Sequence, residues 1–224
     1  MSFEMLNTLV ELASTVAKDD RVSVVVLESV HDDFCYGIDL KDPAVGASVM
    51  SDFGRTMGHL GSQLIHLWSS LPMPTVCRFS GQAVGAGACL VWASDFRIAP
   101  AKASIWFPEI DRGMHLGWGI IRRLVSELGP QWARRLALLA ERVHVDAFPD
   151  GHFIIVDAHD IETPRTLLDN LSSKPVTATR GIKACLEAAA RGEMSEDMDI
   201  SCFIQSVRDP EFMERVNRWL MGDT

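Results

Sequence analysis

The chain has 224 residues, enough for one large domain, and it is acidic, with 30 Asp and Glu against 21 Lys and Arg and a formal net charge of −9. This charge argues against nucleic acid as the main partner, because phosphate contacts require a basic face. No apolar run reaches the ~18 residues that a membrane span needs, and no signal peptide precedes the first helix, so we expect neither a membrane nor export.

Cysteine and histidine usage favours a protein without disulfides or metals. Five cysteines lie at positions 35, 77, 89, 185 and 202 without paired spacing, and seven histidines form no HxxxH or HExxH pattern. A chain of this length buries enough apolar surface to need no covalent staple. We therefore expect reduced, buried thiols in a cytoplasmic protein, with no metal site.

The first half of the chain alternates between strand and helix patterns. Ser2 is a candidate N-cap for a helix over 3–18, and the β-branched run over 23–29 is typical of a strand covered on both faces. The loop HDDFCYGIDL follows, and helical spacing over 50–71 ends at LPMP. Strands are predicted at 75–81 and in DFRIAP, on either side of a small-residue helix in GAGACLVWAS. This alternation favours an α/β domain with right-handed crossovers.

The second half of the chain has mostly helical patterns. GWGIIRRLVSELG and PQWARRLALLAERV are predicted helices, HFIIVD is predicted as one short strand, and helix follows helix over 163–221. Asp209 is the predicted cap of the last helix, with Pro210 at its first position. We therefore divide the chain into a sheet-containing core, 1–145, and a C-terminal helical region, 146–224.

Two glycine-containing turns, FCYGIDL and GQAVGAGA, each follow an apolar strand. The second leads into a helix, whose first N–H groups lack intrahelical partners and, with the helix dipole, favour negative charge. Gly85, Ala86 and Gly87 leave the backbone accessible to a ligand oxygen, and two N–H groups from different loops make an oxyanion hole when they converge on one oxygen. Tight helix–strand packing alone is the alternative explanation of so short a glycine motif.

Glu109 is the candidate acid or base. It follows the strand-like SIWF, and its neighbours Phe107, Pro108 and Ile110 are apolar. Apolar surroundings raise a carboxyl pKa toward the range that is useful for proton transfer. The alternative is a carboxylate that is simply solvated at the surface.

These motifs resemble those of the enoyl-CoA hydratase/isomerase family, the crotonase fold. FCYGIDL, then GQAVGAGACLVWASDFRIAPAKASIWFPEIDRG, then KPVTATRGIKACLEAA and RDPEFMERVNRWL, follow the family's order from about residue 3 to 220. The resemblance implies an α/β fold built as a spiral of ββα units. It also implies a C-terminal helical region that serves trimerisation, in a homotrimer or hexamer.

By position, the resemblance assigns the oxyanion-hole N–H groups to Ile38 and Ala86, and the acid/base role to Glu109. The ligand that it implies is an acyl-CoA or a related thioester, with CoA only as part of the substrate and no metal or redox cofactor. The residues that it places against the substrate are Cys35, Gly37, Gly85, Gly87, Cys89 and Met114. The acyl group is expected to contact residues from 45–70 and 114–145. The leading reaction is the isomerisation or hydration of an enoyl thioester. Hydrolysis and carbon–carbon cleavage are the alternatives.

The chain departs from the family pattern in three places. Cys89 stands where hydratases carry the first of two glutamates, and a buried thiol is a poor base, although one carboxylate suffices for a double-bond shift. Ala86 replaces a glycine and turns a methyl group toward the thioester. The chain begins at the family's first helix, so we expect either a start upstream or a CoA pocket that lacks one part. These departures favour a second hypothesis, a non-catalytic acyl-CoA-binding protein.

Overall fold

The structure, a computed structural model, describes residues 1–42, 53–157 and 160–222. Within these ranges the α-helices are α1 (Phe3–Val16), α2 (Phe53–Ser69), α3 (Ala86–Ala93), α4 (Ile120–Leu138), α5 (Glu162–Ser172), α6 (Val176–Arg191), α7 (Glu196–Arg208) and α8 (Pro210–Met221). The strands are β1 (Val25–Glu28), β2 (Thr75–Arg78), β3 (Gln82–Val84), β4 (Phe96–Ala99), β5 (Ser104–Trp106), β6 (Val143–His144) and β7 (Ile154–Ile155). Short 3-10 helices cover Ile110–Arg112 and Val145–Ala147.

The predicted helix caps are confirmed. The Ser2 hydroxyl accepts the Met5 N–H at 3.1 Å at the start of α1. The Asp209 carboxylate accepts the Glu211 N–H at 3.0 Å, and Pro210 is the first residue of α8. Both caps satisfy an N–H group that would otherwise have no partner at the helix start. The helix predicted over 50–71 is α2, and the part of that prediction before Phe53 lies outside the described residues.

The described strands form two sheets. One is parallel throughout in the order β1-β2-β4-β7, and the other has the order β3-β5-β6, with β3 and β5 parallel and β6 antiparallel. β2 is followed by β3 and then by α3, and β4 is followed by β5 and then by α4. Before them, β1 is followed by a bridge from Cys35 to Ala83 of β3, and then by α2. Three successive ββα units are therefore stacked, and the predicted spiral is confirmed.

The strand predicted over 75–81 is confirmed as β2, although it ends three residues earlier than predicted. β2 ends at Arg78, the chain turns at Gly81 with φ +57°, and β3 begins at Gln82 in the other sheet. Glycine accepts this left-handed conformation without a Cβ clash. The turn therefore moves the chain from one sheet to the next inside what resembles one apolar run.

The helical prediction for PQWARRLALLAERV is partly wrong. α4 contains a break at Gly129, φ 80° and ψ 165°, before Pro130, which agrees with two predicted helical segments. However, the helix ends at Leu138, and Val143–His144 forms β6 against β5. A strand of two residues is too short to show a period, so the sequence pattern could not indicate it.

The C-terminal helices attach to the core through a buried ion pair. Lys183 of α6 is 7% exposed and donates to Asp95 at 2.6 Å and to the Met73 carbonyl at 2.9 Å. The short strand predicted in HFIIVD is confirmed as β7, which pairs with β4 although it lies beyond residue 145. The division at 145/146 itself stays a prediction. None of the helices in the described ranges is long and apolar enough to cross a bilayer.

Candidate active site

The turns that carry the predicted site residues follow equivalent positions in the three ββα units. Cys35 pairs with Ala83 of β3, and β3 pairs in parallel with β5. Because these segments run in the same direction, the turns after them lie at one edge of the sheet. Those turns carry Ile38, Ala86 and Glu109 respectively. The spiral therefore brings together three segments that are far apart in the sequence.

The first two turns are in contact. A Cβ placed on Gly37 would lie 3.1 Å from the Val84 carbonyl oxygen and 3.6 Å from the Ala86 nitrogen. A Cβ placed on Gly87 would lie 2.6 Å from Cys35 Cβ, and the Val84 N–H donates to the Cys35 carbonyl at 2.8 Å. A larger side chain at either glycine would push the turns apart, which explains why both motifs are rich in glycine.

Ile38 and Ala86 each present a main-chain N–H beside this contact. Within residues 1–42, 53–157 and 160–222, no acceptor is bonded to either N–H. Ala86 is the first residue of α3, where N–H groups have no intrahelical acceptor and the helix dipole adds partial positive charge. Gly37 and Ala86 are buried and Ile38 is half-buried. That these two N–H groups bind one ligand oxygen stays a prediction.

The Glu109 carboxyl group lies against the turn that precedes Ala86. A Cβ placed on Gly85 would lie 2.8 Å from Glu109 Oε1, so a side chain there would displace the carboxyl group. Oε2 is buried and has no hydrogen-bond partner in the part of the chain that the structure describes. Burial raises the pKa of Glu109, while its main-chain hydrogen bond and the charge of Arg112 oppose this rise. A carboxyl group in this state is suited to proton transfer.

Main-chain hydrogen bonds hold the Glu109 turn in place. The Gly85 N–H donates to the Trp106 carbonyl at 2.8 Å, and the Glu109 carbonyl accepts the Met114 N–H at 2.9 Å. Met114, predicted to contact substrate, is half-buried, and its own N–H is the donor of the second bond. Of the apolar neighbours that were expected to desolvate Glu109, Phe107 and Pro108 are buried, whereas Ile110 begins a 3-10 helix and is 45% exposed.

Cys89 occupies the buried side of the same region. It is 2% exposed, and its N–H donates to the Gly85 carbonyl at 2.9 Å. Burial, and secondly the charge of Glu109, raise the pKa of the Cys89 thiol well above its ordinary value. The thiol therefore keeps its proton at neutral pH and supplies no second base.

The predicted acyl-contact segments are described only in part. Residues 45–52 of the range 45–70 lie outside the described residues. In the rest, Trp118 packs on α2 so closely that a Cβ on Gly61 would lie 1.8 Å from the indole ring. A cavity of ≈ 160 Å³ between α2, α4 and α6 is lined in part by Trp118, and a larger one of ≈ 290 Å³ lies between α6 and α8; Glu109 lines neither.

Sequence reasoning missed Asp33, which precedes the first turn. Its carboxylate accepts the Gln82 N–H at 2.8 Å and the Tyr36 hydroxyl at 2.5 Å. The sequence shows only an acid two residues before Cys35, in a segment predicted as a loop, and this does not indicate which residue the acid contacts. A carboxylate at that place can complete the hydrogen bonding of a neighbouring strand edge.

The spiral of ββα units, which brings Gly37, Gly85 and the half-buried Glu109 together at one edge, is the fold of the crotonase class. The sequence matches the enoyl-CoA hydratase/isomerase family over residues 1–206. The chain therefore belongs to that family, which confirms the resemblance found in the motifs.

Two curated relatives and one solved structure illustrate the match. 1,2-Epoxyphenylacetyl-CoA isomerase from Escherichia coli is 26% identical, over 97% of this chain and 85% of the relative. Crotonyl-CoA hydratase from Syntrophomonas wolfei is 28% identical, over 89% of this chain and 77% of the relative. The crystal structure of an enoyl-CoA hydratase from Bacillus anthracis superposes with a TM-score of 0.90 at 22% identity, covering 100% of this chain and 88% of that one. That likeness confirms the predicted fold.

Proposed function

We propose that this protein is an enzyme that moves the double bond of an enoyl-CoA thioester, using Glu109 as acid and base. The observation that carries the proposal is the approach of the Glu109 carboxyl group to Gly85, whose successor Ala86 has an N–H without an acceptor among the described residues. The two named relatives, one an isomerase and one a hydratase of CoA thioesters, support this substrate class. CoA enters only as part of the substrate, with no metal or redox cofactor.

In the proposed reaction, the thioester oxygen accepts hydrogen bonds from Ile38 and Ala86. The Glu109 carboxylate removes a proton from the α carbon of a 3-enoyl thioester, and the C–H electron pair moves through the conjugated system toward the oxygen. The carboxylic acid so formed returns the proton to the γ carbon, which leaves a 2-enoyl thioester and regenerates the carboxylate. Each main-chain donor on the developing oxyanion is worth about 10²–10³-fold in rate.

The state of Cys89 favours isomerisation over hydration as the leading reaction. Hydration adds a proton and a hydroxyl group, and two carboxylates divide that work more easily than one. Here the second position holds a buried thiol, whose pKa burial raises well above its ordinary value. The double-bond shift needs one group that both takes and returns a proton. Hydration by Glu109 alone, hydrolysis and carbon–carbon cleavage are the alternatives within this proposal.

A second candidate function is acyl-CoA binding without turnover. The observation that favours it is the same neutral Cys89 together with the methyl group of Ala86, 6% exposed, at the turn that meets the thioester. In that case the two N–H groups hold the carbonyl, and Glu109 makes no difference to any chemical step.

We also propose a homotrimer or hexamer in the cytoplasm. Large apolar side chains on α7 and α8 support association, because Phe203, Trp219 and Leu220 are each 69% exposed. The cytoplasmic location is supported by the cysteine usage, since the five thiols are free.

The proposal is tested with a panel of 2-enoyl-CoA and 3-enoyl-CoA thioesters of increasing chain length, followed by absorbance of the conjugated thioester. Glu109→Gln should lower kcat by about 10²–10⁴-fold on the substrate that turns over. The control is Asp111→Asn, an exposed acid two residues away, which should keep wild-type kcat. Tight binding without turnover in the wild type would establish the binder. Equal kcat in the wild type and Glu109→Gln would refute the role of Glu109.

A further inference from the structure

We infer that Asp33 is a positioning residue for the Ile38 N–H, an inference that rests on the proposed function. The Asp33 carboxylate joins two parts of the site. Oδ1 accepts the main-chain N–H of Gln82 in β3 at 2.8 Å, and Oδ2 accepts the Tyr36 hydroxyl at 2.5 Å. One side chain thus ties the strand that leads to Ala86 to the loop that leads to Ile38.

Asp33 completes the hydrogen bonding along the edge of β3 that does not face β5. β3 pairs with β5 on one side, and on the other its Gln82 carbonyl accepts the N–H groups of Phe34 and Cys35 at 3.1 Å each. Further along the same edge, the Val84 N–H donates to the Cys35 carbonyl at 2.8 Å. The Gln82 N–H would point outward without an acceptor, and Asp33 supplies one. The side chain therefore takes the place of another strand residue.

The turn at Gly81 is in close contact with the loop that carries Asp33. A Cβ placed on Gly81 would lie 2.2 Å from Asp33 Oδ1 and 2.5 Å from the Asp32 carbonyl oxygen. The Ser80 hydroxyl also donates to the Asp32 carbonyl, at 2.9 Å. The loop thus lies directly on the turn between β2 and β3, and Asp33 is held at the point of closest approach.

Tyr36 connects Asp33 to the part of the loop that leads to Ile38. Strand-like pairing ends at Cys35, and the Tyr36 side chain is 63% exposed, so packing contributes little to fixing this part of the loop. Its hydroxyl donates to Asp33 and accepts from Gln82 Nε2 at 3.3 Å. The hydrogen bond to Asp33 raises the pKa of Tyr36, so the hydroxyl keeps its proton at neutral pH. These bonds orient the residue two positions before Ile38.

Removing the carboxylate should affect the transition state more than substrate binding. Without Asp33, the Gln82 N–H has no acceptor and Tyr36 keeps only its hydrogen bond with Gln82 Nε2. The Met1 N-terminus still donates to the Gly37 carbonyl at 2.7 Å, so the Ile38 N–H should shift rather than become free. A displacement of about 1 Å at a reacting group costs about 10²-fold in rate. Binding of the CoA moiety, which does not depend on this N–H, should change little.

The experiment compares Asp33→Ala, Asp33→Asn and Tyr36→Phe with the control Asp32→Ala. Asp32 is the exposed neighbour in the same loop, and only its main-chain carbonyl takes part in the contacts described above. We measure kcat and KM on an enoyl-CoA that the wild type turns over, per folded protein from near-UV circular dichroism. The second readout is the infrared C=O stretch of a bound ¹³C-labelled butyryl-CoA, which moves to lower frequency when the oxygen accepts strong hydrogen bonds.

We expect Asp33→Ala to lower kcat about 10–100-fold with KM changed less than about threefold, and to lose part of the C=O shift. Asp33→Asn, whose amide oxygen still accepts the Gln82 N–H, should recover most of the activity. Tyr36→Phe should lower kcat severalfold, and it keeps the test valid if Asp33→Ala does not fold. Asp32→Ala should behave as the wild type.

Three results would overturn the inference. The first is wild-type kcat and C=O frequency in both Asp33→Ala and Tyr36→Phe. The second is an equal loss in Asp32→Ala, and the third is a loss of folded protein with normal kcat in the part that folds, which indicates a structural role. Failure of the proposed function gives a different result: no turnover and no C=O shift in the wild type itself, which refutes both claims together.

Discussion

The sharpest structural prediction concerns Gly85→Ala. The added Cβ would lie 2.8 Å from Glu109 Oε1, where an ordinary contact needs at least about 3.4 Å, so the carboxyl group must move by roughly half an ångström or more. Because misplacement by about 1 Å costs about 10²-fold, we expect kcat to fall about 10–100-fold. The backbone at Gly85, φ 53° and ψ −116°, is also unfavourable for alanine. That strain should lower the free energy of unfolding by about 1–3 kcal/mol.

The assay pairs urea unfolding with kcat on the enoyl-CoA that the wild type turns over. The matched control is Gly192→Ala at the end of α6, where φ is also positive, 69°, but no heavy atom lies within 4 Å of the added Cβ. Gly192→Ala should lose stability, by about 1 kcal/mol, and keep its kcat. Wild-type kcat in Gly85→Ala would refute the reasoning, because it would mean that the Glu109 carboxyl group does not need its position against this turn.

Two further predictions concern the ionisable side chains of Glu109 and Lys183. Burial raises the pKa of Glu109. The value of kcat/KM should therefore rise with pH as the carboxylate forms, with a midpoint above the ordinary pKa of a carboxyl group. Since the folded state holds that proton to higher pH than the unfolded state, stability should fall as pH rises through the same window. Glu109→Gln should therefore unfold at higher urea than the wild type at neutral pH, and a lower midpoint would contradict this. Lys183→Met should lower the free energy of unfolding by about 3–5 kcal/mol, because it leaves the Asp95 carboxylate without its buried partner. The control is Arg165→Met, which breaks an exposed ion pair with Asp169 at 3.8 Å. It should lower the free energy of unfolding, measured in urea, by less than about 1 kcal/mol.

Sequence reasoning recovered those features that depend on local patterns or on ordered motifs. Ser2 and Asp209 cap helices because their side-chain oxygens accept main-chain N–H groups that have no intrahelical partner. Every residue of α3 is buried, in agreement with its unbroken apolar pattern. Glu109 is half-buried beside Gly85, although its role as acid and base stays a prediction.

What the sequence could not indicate depends on contacts between distant segments. β3 and β6 have three and two residues, too few to show a strand period. Asp33 meets Gln82 across 49 positions, and no local pattern shows that an acid in a loop faces a strand edge. Ile110 is apolar and follows Glu109 directly, but it begins a 3-10 helix and is 45% exposed. Side-chain direction in a short turn depends on the backbone path, which apolar character alone does not determine.

The most direct test of the Glu109 mechanism is hydrogen exchange at the α carbon of a saturated acyl-CoA in D₂O, followed by mass spectrometry. The account predicts that the wild type incorporates deuterium from solvent well above the rate without enzyme, even though no double bond can move. Glu109→Gln should lower this exchange by at least about 10²-fold, while Asp111→Asn should keep it. Exchange at the same rate in Glu109→Gln, or none in a wild type that binds the ligand, would contradict the account.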